Sequence, residues 1–274
     1  MLKTNTLHTG DSLELLKQVD NDSVSLFMTS PMYADMKQYE TTSGIHPDKY
    51  VEWLMPFIKQ IERTMKPDGN FILNINDKVM DKFRHPYVFE LIVEIHKQTG
   101  LKMFERLFWN KGKYLPHRSR FGDKVEFLFW FVKSENFYFD IDAMRKPYDP
   151  KSIKRMQKPL KKRFARTKEN QDATDYKDWS PNPLGALPST LVDIGSVSKR
   201  MSEHHVAIFP ETLCEYFIKG ASKEGDLVCD IFSGNGTTCR VAKRLNRNFL
   251  GMDISQVYND EAMKLLNEKT SDAS

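Results

Sequence analysis

Between residues 50 and 65 the apolar side chains Val51, Leu54, Ile58, Ile61 and Met65 recur every three or four positions, the spacing of one helical face. Lys66-Pro67-Asp68-Gly69 predicts the end of that helix, because proline lacks a backbone donor and glycine favours a turn. Residues 70–75 form a short apolar run and predict a strand. Tyr87–Gln98 repeats the helical pattern and closes on Gly100. Residues 24–28, residues 103–109 and Val125–Val132 predict further strands, the last almost wholly apolar. Near the C-terminus, residues 227–229 and 248–252 are apolar runs on either side of a helical stretch, 240–245. Strands alternating with helices predict an α/β fold, a doubly wound and mostly parallel sheet covered on both faces. The connection from Trp109 to Val125 is too short for a standard helix, so those two strands are expected as an antiparallel pair at a sheet edge.

The pattern changes after Asp140. Residues 145–168 carry eleven Lys or Arg with few apolar positions, and Pro147, Pro150, Pro159, Pro181, Pro183 and Pro188 punctuate the stretch. Such a segment predicts an insertion outside the core, with a charge pattern suited to phosphates. Three units follow: 1–139, an inserted region 140–200, and 201–274. The formal net charge of +4, with 40% apolar and 28% charged residues, is ordinary for a soluble domain, so the local concentration of charge says more than the total. Cys214, Cys229 and Cys239 are odd in number and lack metal-ligand spacing; they are expected as reduced structural thiols, with no metal site. No apolar leader segment and no run of 18 apolar residues occurs, which predicts a cytoplasmic protein without a membrane span.

The chemistry concentrates in Asp230-Ile-Phe-Ser-Gly-Asn-Gly-Thr-Thr238. The order is strand, glycine-rich turn, helix, strand, and then Asp253, 19 residues beyond Gly234. That is about the spacing at which nucleotide-binding α/β folds set a carboxylate on a ribose. Gly234 and Gly236 allow a sharp turn and close backbone approach to a ligand. The third glycine of the dinucleotide fingerprint is missing, and so is the lysine of a phosphate-binding loop. A mononucleoside cofactor remains.

Asp-x-Phe-x-Gly-x-Gly-Thr-Thr resembles the S-adenosylmethionine loop of amino-methylating DNA methyltransferases. His205-Val-Ala-Ile-Phe-Pro210 resembles that family's H-P-A-x-F-P segment, with Val206 at the usual proline. Gly10-Asp11-Ser12 resembles the G-D-S ahead of the catalytic strand, and Thr29-Ser30-Pro31-Met32-Tyr33 resembles the catalytic motif (D/N/S)-P-P-(Y/F/W). The catalytic motif comes first and the cofactor loop last, the permuted order of the β group. The resemblance covers roughly residues 5–135 and 200–260, and 140–200 falls where that group carries its target-recognition region.

The resemblance implies a role for each matching residue. Asp253 would hold the ribose hydroxyls and Asp11 the adenine amino group. Phe209, Pro210 and Phe232 would line the cofactor pocket. Asp230 would meet the methionine amino group, with Thr237 and Thr238 also at that end. Ser30 and the Pro31 carbonyl would accept from the exocyclic amine of a flipped base, and Tyr33 would stack on that base. Asn74, Asn76 and Asp77 could line the base pocket. Lys161, Lys162, Arg163 and Arg166 would contact DNA. A serine in the motif is associated with cytosine N4, adenine N6 being the alternative; an RNA methyltransferase or an inactive nucleic-acid-binding relative are further readings. Double-stranded DNA is the implied partner, and the resemblance is compatible with a homodimer and a companion restriction endonuclease. Met32 and Ile231 stand where the family usually has proline.

Overall fold

A computed structural model of the protein describes residues 2–34, 44–112, 118–156, 181–196 and 209–267. The strands are β1 (Thr6–Thr9), β2 (Val24–Thr29), β3 (Met65–Ile75), β4 (Val79–Met80), β5 (Phe83–Arg84), β6 (Lys102–Asn110), β7 (Val125–Val132), β8 (Leu191–Asp193), β9 (Leu227–Asp230) and β10 (Asn248–Asp253). The helices are α1 (Ser12–Leu16), α2 (Pro47–Thr64), α3 (Tyr87–Gln98), α4 (Pro150–Met156), α5 (Glu211–Ala221), α6 (Thr237–Arg244) and α7 (Gln256–Asn267).

Eight strands form one sheet in the order β1-β10-β9-β2-β3-β7-β6-β8, and β4 and β5 make a separate hairpin. From β1 to β3 neighbours run parallel, whereas β7 is antiparallel to both β3 and β6. The expected doubly wound sheet with an antiparallel pair is therefore present. The β4–β5 hairpin and two strands of the main sheet go beyond the sequence reading. β8 lies parallel outside β6, so it is the edge. β1 pairs in register with β10, Thr6 with Leu250 through Thr9 with Asp253, which sews the N-terminus to the C-terminal motif. One boundary also differs. Lys66–Gly69 does not separate helix from strand: α2 ends at Thr64 and β3 begins at once with Met65, whose partner is Val24. The irregularity is absorbed by a register shift between Val24 and Leu26.

The central strands are buried on both faces, and their alternation sorts side chains into two cores. Phe27, Phe71, Leu73, Phe129 and Phe131 face α2 and α3. Met28, Ile72, Leu128, Trp130 and Val132 face the opposite way, with α5 and α6. Ile231, at the position usually held by proline, is fully buried in the first core. Met144 and Val192, near the two ends of the region 140–200, are buried in the second, so that region is not wholly outside the core as expected: each end packs an apolar side chain against the sheet and α5. No described helix is long and apolar enough to cross a membrane.

Candidate functional site

The C-terminal ends of β9, β10 and β2 meet at the glycine loop. Asp230 ends β9 and is 3% exposed. Its carboxylate accepts from Thr29 Oγ1 at 2.7 Å, Thr238 Oγ1 at 2.8 Å and the Phe232 amide at 3.2 Å. These donors are neutral. Burial, with the like charge of Asp253 adding to it, outweighs their pull and pushes the Asp230 carboxyl up to about 6. Asp253 ends β10 and accepts the amides of Gly234 and Ser255, each at 2.9 Å. The loop itself turns on Gly234 at φ 49° and Gly236 at φ 72°, and the Gly236 amide donates to the Ser233 carbonyl at 2.7 Å. A side chain at Gly236 would also press on α7, because a Cβ there lies 2.9 Å from the Ala262 Cβ.

The remaining residues expected around a cofactor are distributed as follows. Thr237 and Thr238 open α6 and are buried, Thr237 bonded to Asn235 Oδ1 at 2.9 Å. Phe232 packs on Trp53 and Phe57 of α2 at centroid distances of 5.7 and 5.3 Å. Asp11 caps α1 by accepting the Leu13 amide at 2.8 Å, and the neighbouring Ser12 Oγ donates to the Ile231 carbonyl at 2.6 Å, so the G-D-S segment is tied to the loop. Pro210 caps α5; the adjacent Glu211 pairs with Arg240, which also donates to the Asn235 carbonyl at 2.8 Å. Phe209 approaches Trp109 at 6.3 Å. His205 to Ile208 lie outside the described residues, as do Lys161, Lys162, Arg163 and Arg166.

One residue beyond the end of β2 a second network starts. Ser30 Oγ donates to Asn74 Oδ1 at 3.2 Å, and Asn74 Nδ2 donates to the Phe127 carbonyl at 3.1 Å. The latter bond fixes which end of the amide faces Ser30. The Tyr33 hydroxyl lies 2.6 Å from Glu126 Oε2 and 3.2 Å from Asn74 Oδ1, so its single proton goes to the shorter, charged contact. Burial, then the Glu126 charge, raises the phenol well above its ordinary value, and Tyr33 stays protonated. Lys111 Nζ meets the other Glu126 oxygen at 2.8 Å. Tyr50, fully buried on α2, donates to the Met32 carbonyl at 2.8 Å and holds the turn from behind.

The structure thus brings Ser30, Pro31 and Tyr33 beside the loop, through Thr29. Asn74 joins them, but Asp77 does not: it pairs with Arg84, on the side of the hairpin. Glu126, Lys111 and Tyr50 were missed by sequence reasoning. Glu126 had one signal, a carboxylate inside the otherwise apolar run 125–132. The cysteines are buried, and burial pushes all three thiols up and away from a reactive thiolate.

Residues 24–264, from β2 to α7, match the DNA methylase family that groups N6 and N4 enzymes. The chain belongs to that family. It is 30% identical to the type II methyltransferase M.PvuII of Proteus hauseri, over 92% of this chain and 81% of that one. The solved structure of the PvuII DNA methyltransferase, described as cytosine-N4-specific, superimposes with a TM-score of 0.73 at 25% identity, covering all of this chain and 89% of that one. A putative DNA modification methylase of Thermus thermophilus, solved with S-adenosyl-L-methionine, shares the fold with a TM-score of 0.64 at 21% identity, over 95% and 92% of the two chains. The family places a DNA methylase activity on this sheet, and the site above is where its strand ends converge.

Proposed function

We propose that this DNA methyltransferase moves a methyl group from S-adenosylmethionine to the N4 amine of a cytosine flipped out of a specific duplex sequence. The observation that carries this reading is the adjacency of Thr29 and Ser30: one residue bonds the buried carboxylate of the glycine loop, the next opens the base-facing network. When bound, S-adenosylmethionine supplies an electrophilic methyl on a sulfonium. The residues fit it. Asp230 is a buried carboxylate held by neutral donors, and an ammonium group would complete its charge. Asp253 would take the ribose hydroxyls, Asp11 the adenine amine, and Phe209, Pro210 and Phe232 the flanks of the pocket. Gly234 and Gly236 let the backbone come close, with Thr237 and Thr238 at the methionine end.

An exocyclic amine is a poor nucleophile because its lone pair is drawn into the ring. Ser30 commits its proton to Asn74, which leaves its oxygen lone pairs to accept from the amine N–H. The Pro31 carbonyl, held by proline's fixed φ, accepts the second N–H. As the nitrogen becomes tetrahedral it gains nucleophilicity, and catalysis consists of positioning and hydrogen bonding. Tyr33, locked by Glu126, presents its ring to the base. The serine supports cytosine N4 over adenine N6, as does the description of the PvuII structure. Residues 140–200 are the target-recognition region in this reading, with Lys161, Lys162, Arg163 and Arg166 on DNA phosphates. A homodimer and a companion restriction endonuclease belong to the same proposal.

The test is direct. Unmodified genomic DNA is incubated with enzyme and cofactor, digested to nucleosides and read by mass spectrometry. N4-methylcytosine is expected; N6-methyladenine alone would reassign the acceptor, and transfer only to RNA would reassign the substrate.

A further inference from the structure

Two segments rise from the strands that carry the catalytic network. The β4–β5 hairpin follows β3, whose Asn74 bonds Ser30, and residues 118–124 lead into β7 just before Glu126. The two are braced together. The Arg84 guanidinium bridges Asp77 and Asp123, and Arg120 Nη2 donates to the Lys82 carbonyl at 3.1 Å. The Lys111 amide donates to the Lys124 carbonyl at 3.0 Å, and the Lys111 ammonium holds Glu126. Hairpin and loop therefore form one rim, tied through Lys111 to the Glu126 carboxylate that holds Tyr33.

Two large rings stand out of this rim. Phe83 is 77% exposed and Phe121 is 96% exposed. Leaving such a ring in water forgoes the free energy of its burial, and both rings are carried by segments braced to each other through Arg84 and Arg120. Phe121 lies five positions before Glu126, a reach of at most roughly 18 Å even fully extended. Within three positions of the rings along the chain stand Lys82, Arg118, Arg120 and Lys124 against Asp81, while Arg84 is spent on Asp77 and Asp123. Aromatic tips within a cationic surround suit a polyanion that carries stacked rings. An apolar protein partner would not need the cations.

We infer that Phe83 and Phe121 are wedge residues, whose rings enter the duplex beside the target base while the basic rim holds the flanking phosphates. This rests on the DNA methyltransferase reading and deepens it. It assigns a DNA contact outside the basic segment 140–200. Extruding a base breaks its stacking and pairing, and apolar wedges inserted at a base step are one way proteins compensate the opened stack.

The test uses the double variant Phe83→Ala/Phe121→Ala. Both positions are exposed, and an unchanged melting temperature checks that the fold is intact. The substrate is a duplex carrying the site that the wild-type enzyme modifies, read by sequencing its product, in two forms: fully paired, and mismatched at the target base. On the paired duplex kcat/KM is expected to fall about tenfold or more; on the mismatched duplex, where the base is already loosened, the loss should stay under about threefold. Full turnover by the variant on paired DNA, or an equal loss on both duplexes, overturns the wedge assignment and leaves the methyltransferase reading standing. A wild type that methylates no DNA removes both.

Discussion

The corner around Asp230 and the corner around Ser30 meet on two consecutive residues at the end of β2, Thr29 and Ser30. They are built in different ways. The first is drawn mainly from one continuous stretch, β9 through the start of α7, with Thr29 and Ser12 bonded to it from outside, and much of it is backbone: two left-handed glycines and amides aimed at carboxylates. The second is assembled from four separated places, Ser30 with Tyr33, Asn74, Lys111 and Glu126, and consists almost entirely of side-chain bonds. A cofactor of fixed shape can be held by a rigid loop. A base that arrives from outside must be met by groups whose protons are already committed, and such commitments come from distant strands.

The sharpest way to break this contrast is Ser30→Ala. If Ser30 acts on the reacting amine, kcat should fall about 10²- to 10³-fold, the scale for loss of one hydrogen-bonding group aimed at a transition state. Cofactor affinity, measured by titration calorimetry, should change less than about twofold, since Asp230 keeps its bond from Thr29. Unchanged turnover means that the catalytic role of Ser30 is wrong.

Asp230→Asn probes the other corner. It should weaken S-adenosylmethionine binding by about 10- to 100-fold, because an ammonium loses its charged acceptor. The wild-type affinity should also rise with pH through about 6, where the carboxyl ionises in the folded protein. Without ligand the sign reverses. The folded value lies above the ordinary 3.8, so the native state binds more protons between about 4 and 6. Stability should therefore fall as pH rises across that window, by on the order of 2–3 kcal/mol, and level off above it. Melting curves of Asp230→Asn that keep the wild-type slope would remove this account.

These two corners also differ in how far the sequence discloses them. The loop was legible because its signals are local: Leu227 to Cys229, the glycines and Asp253 sit within one strand–turn–helix–strand unit. The helices α2 and α3 and the strands β6 and β7 were legible for the same reason, each written in its own periodicity. β8 was not, since three residues among prolines carry no pattern, and only pairing with Phe108 to Asn110 makes it a strand. Nor was the continuation of β3 back to Met65, where pairing to Val24 overrides the Pro-Asp-Gly turn signal. In the corner around Ser30, Ser30 and Tyr33 were visible through their motif, and Asn74 as a polar residue at a strand end. Their partners Glu126 and Lys111 lie 93 and 78 positions beyond Tyr33, and nothing local points from one to the other.

Glu126→Gln sharpens the same point with a smaller effect. Glutamine keeps a carbonyl acceptor for Tyr33 but loses the charge that balances Lys111. A drop in kcat of roughly tenfold is expected, with cofactor affinity unchanged, while Glu126→Ala should cost more because Tyr33 and Lys111 both lose their partner. Equal rates for both variants and the wild type would reduce Glu126 to packing.

The smallest expected effect separates backbone strain from site geometry. Gly236 and Gly225 both have left-handed backbones, at φ 72° and 81°. An alanine at either should cost about 1 kcal/mol for that conformation alone. At Gly225 a Cβ meets nothing within 4 Å, whereas at Gly236 it comes within 2.9 Å of the Ala262 Cβ, so α7 or the loop must give way. Gly225→Ala should therefore lower the melting temperature by a few degrees, about what 1 kcal/mol predicts, and leave the cofactor untouched. Gly236→Ala should lose roughly 1 kcal/mol more and weaken cofactor binding severalfold, because the displaced turn carries the Gly234 amide that holds Asp253. Thermal melts with and without S-adenosylmethionine decide it: equal ligand-induced shifts in the two variants would mean that the loop tolerates displacement and that its glycines serve the fold rather than the site.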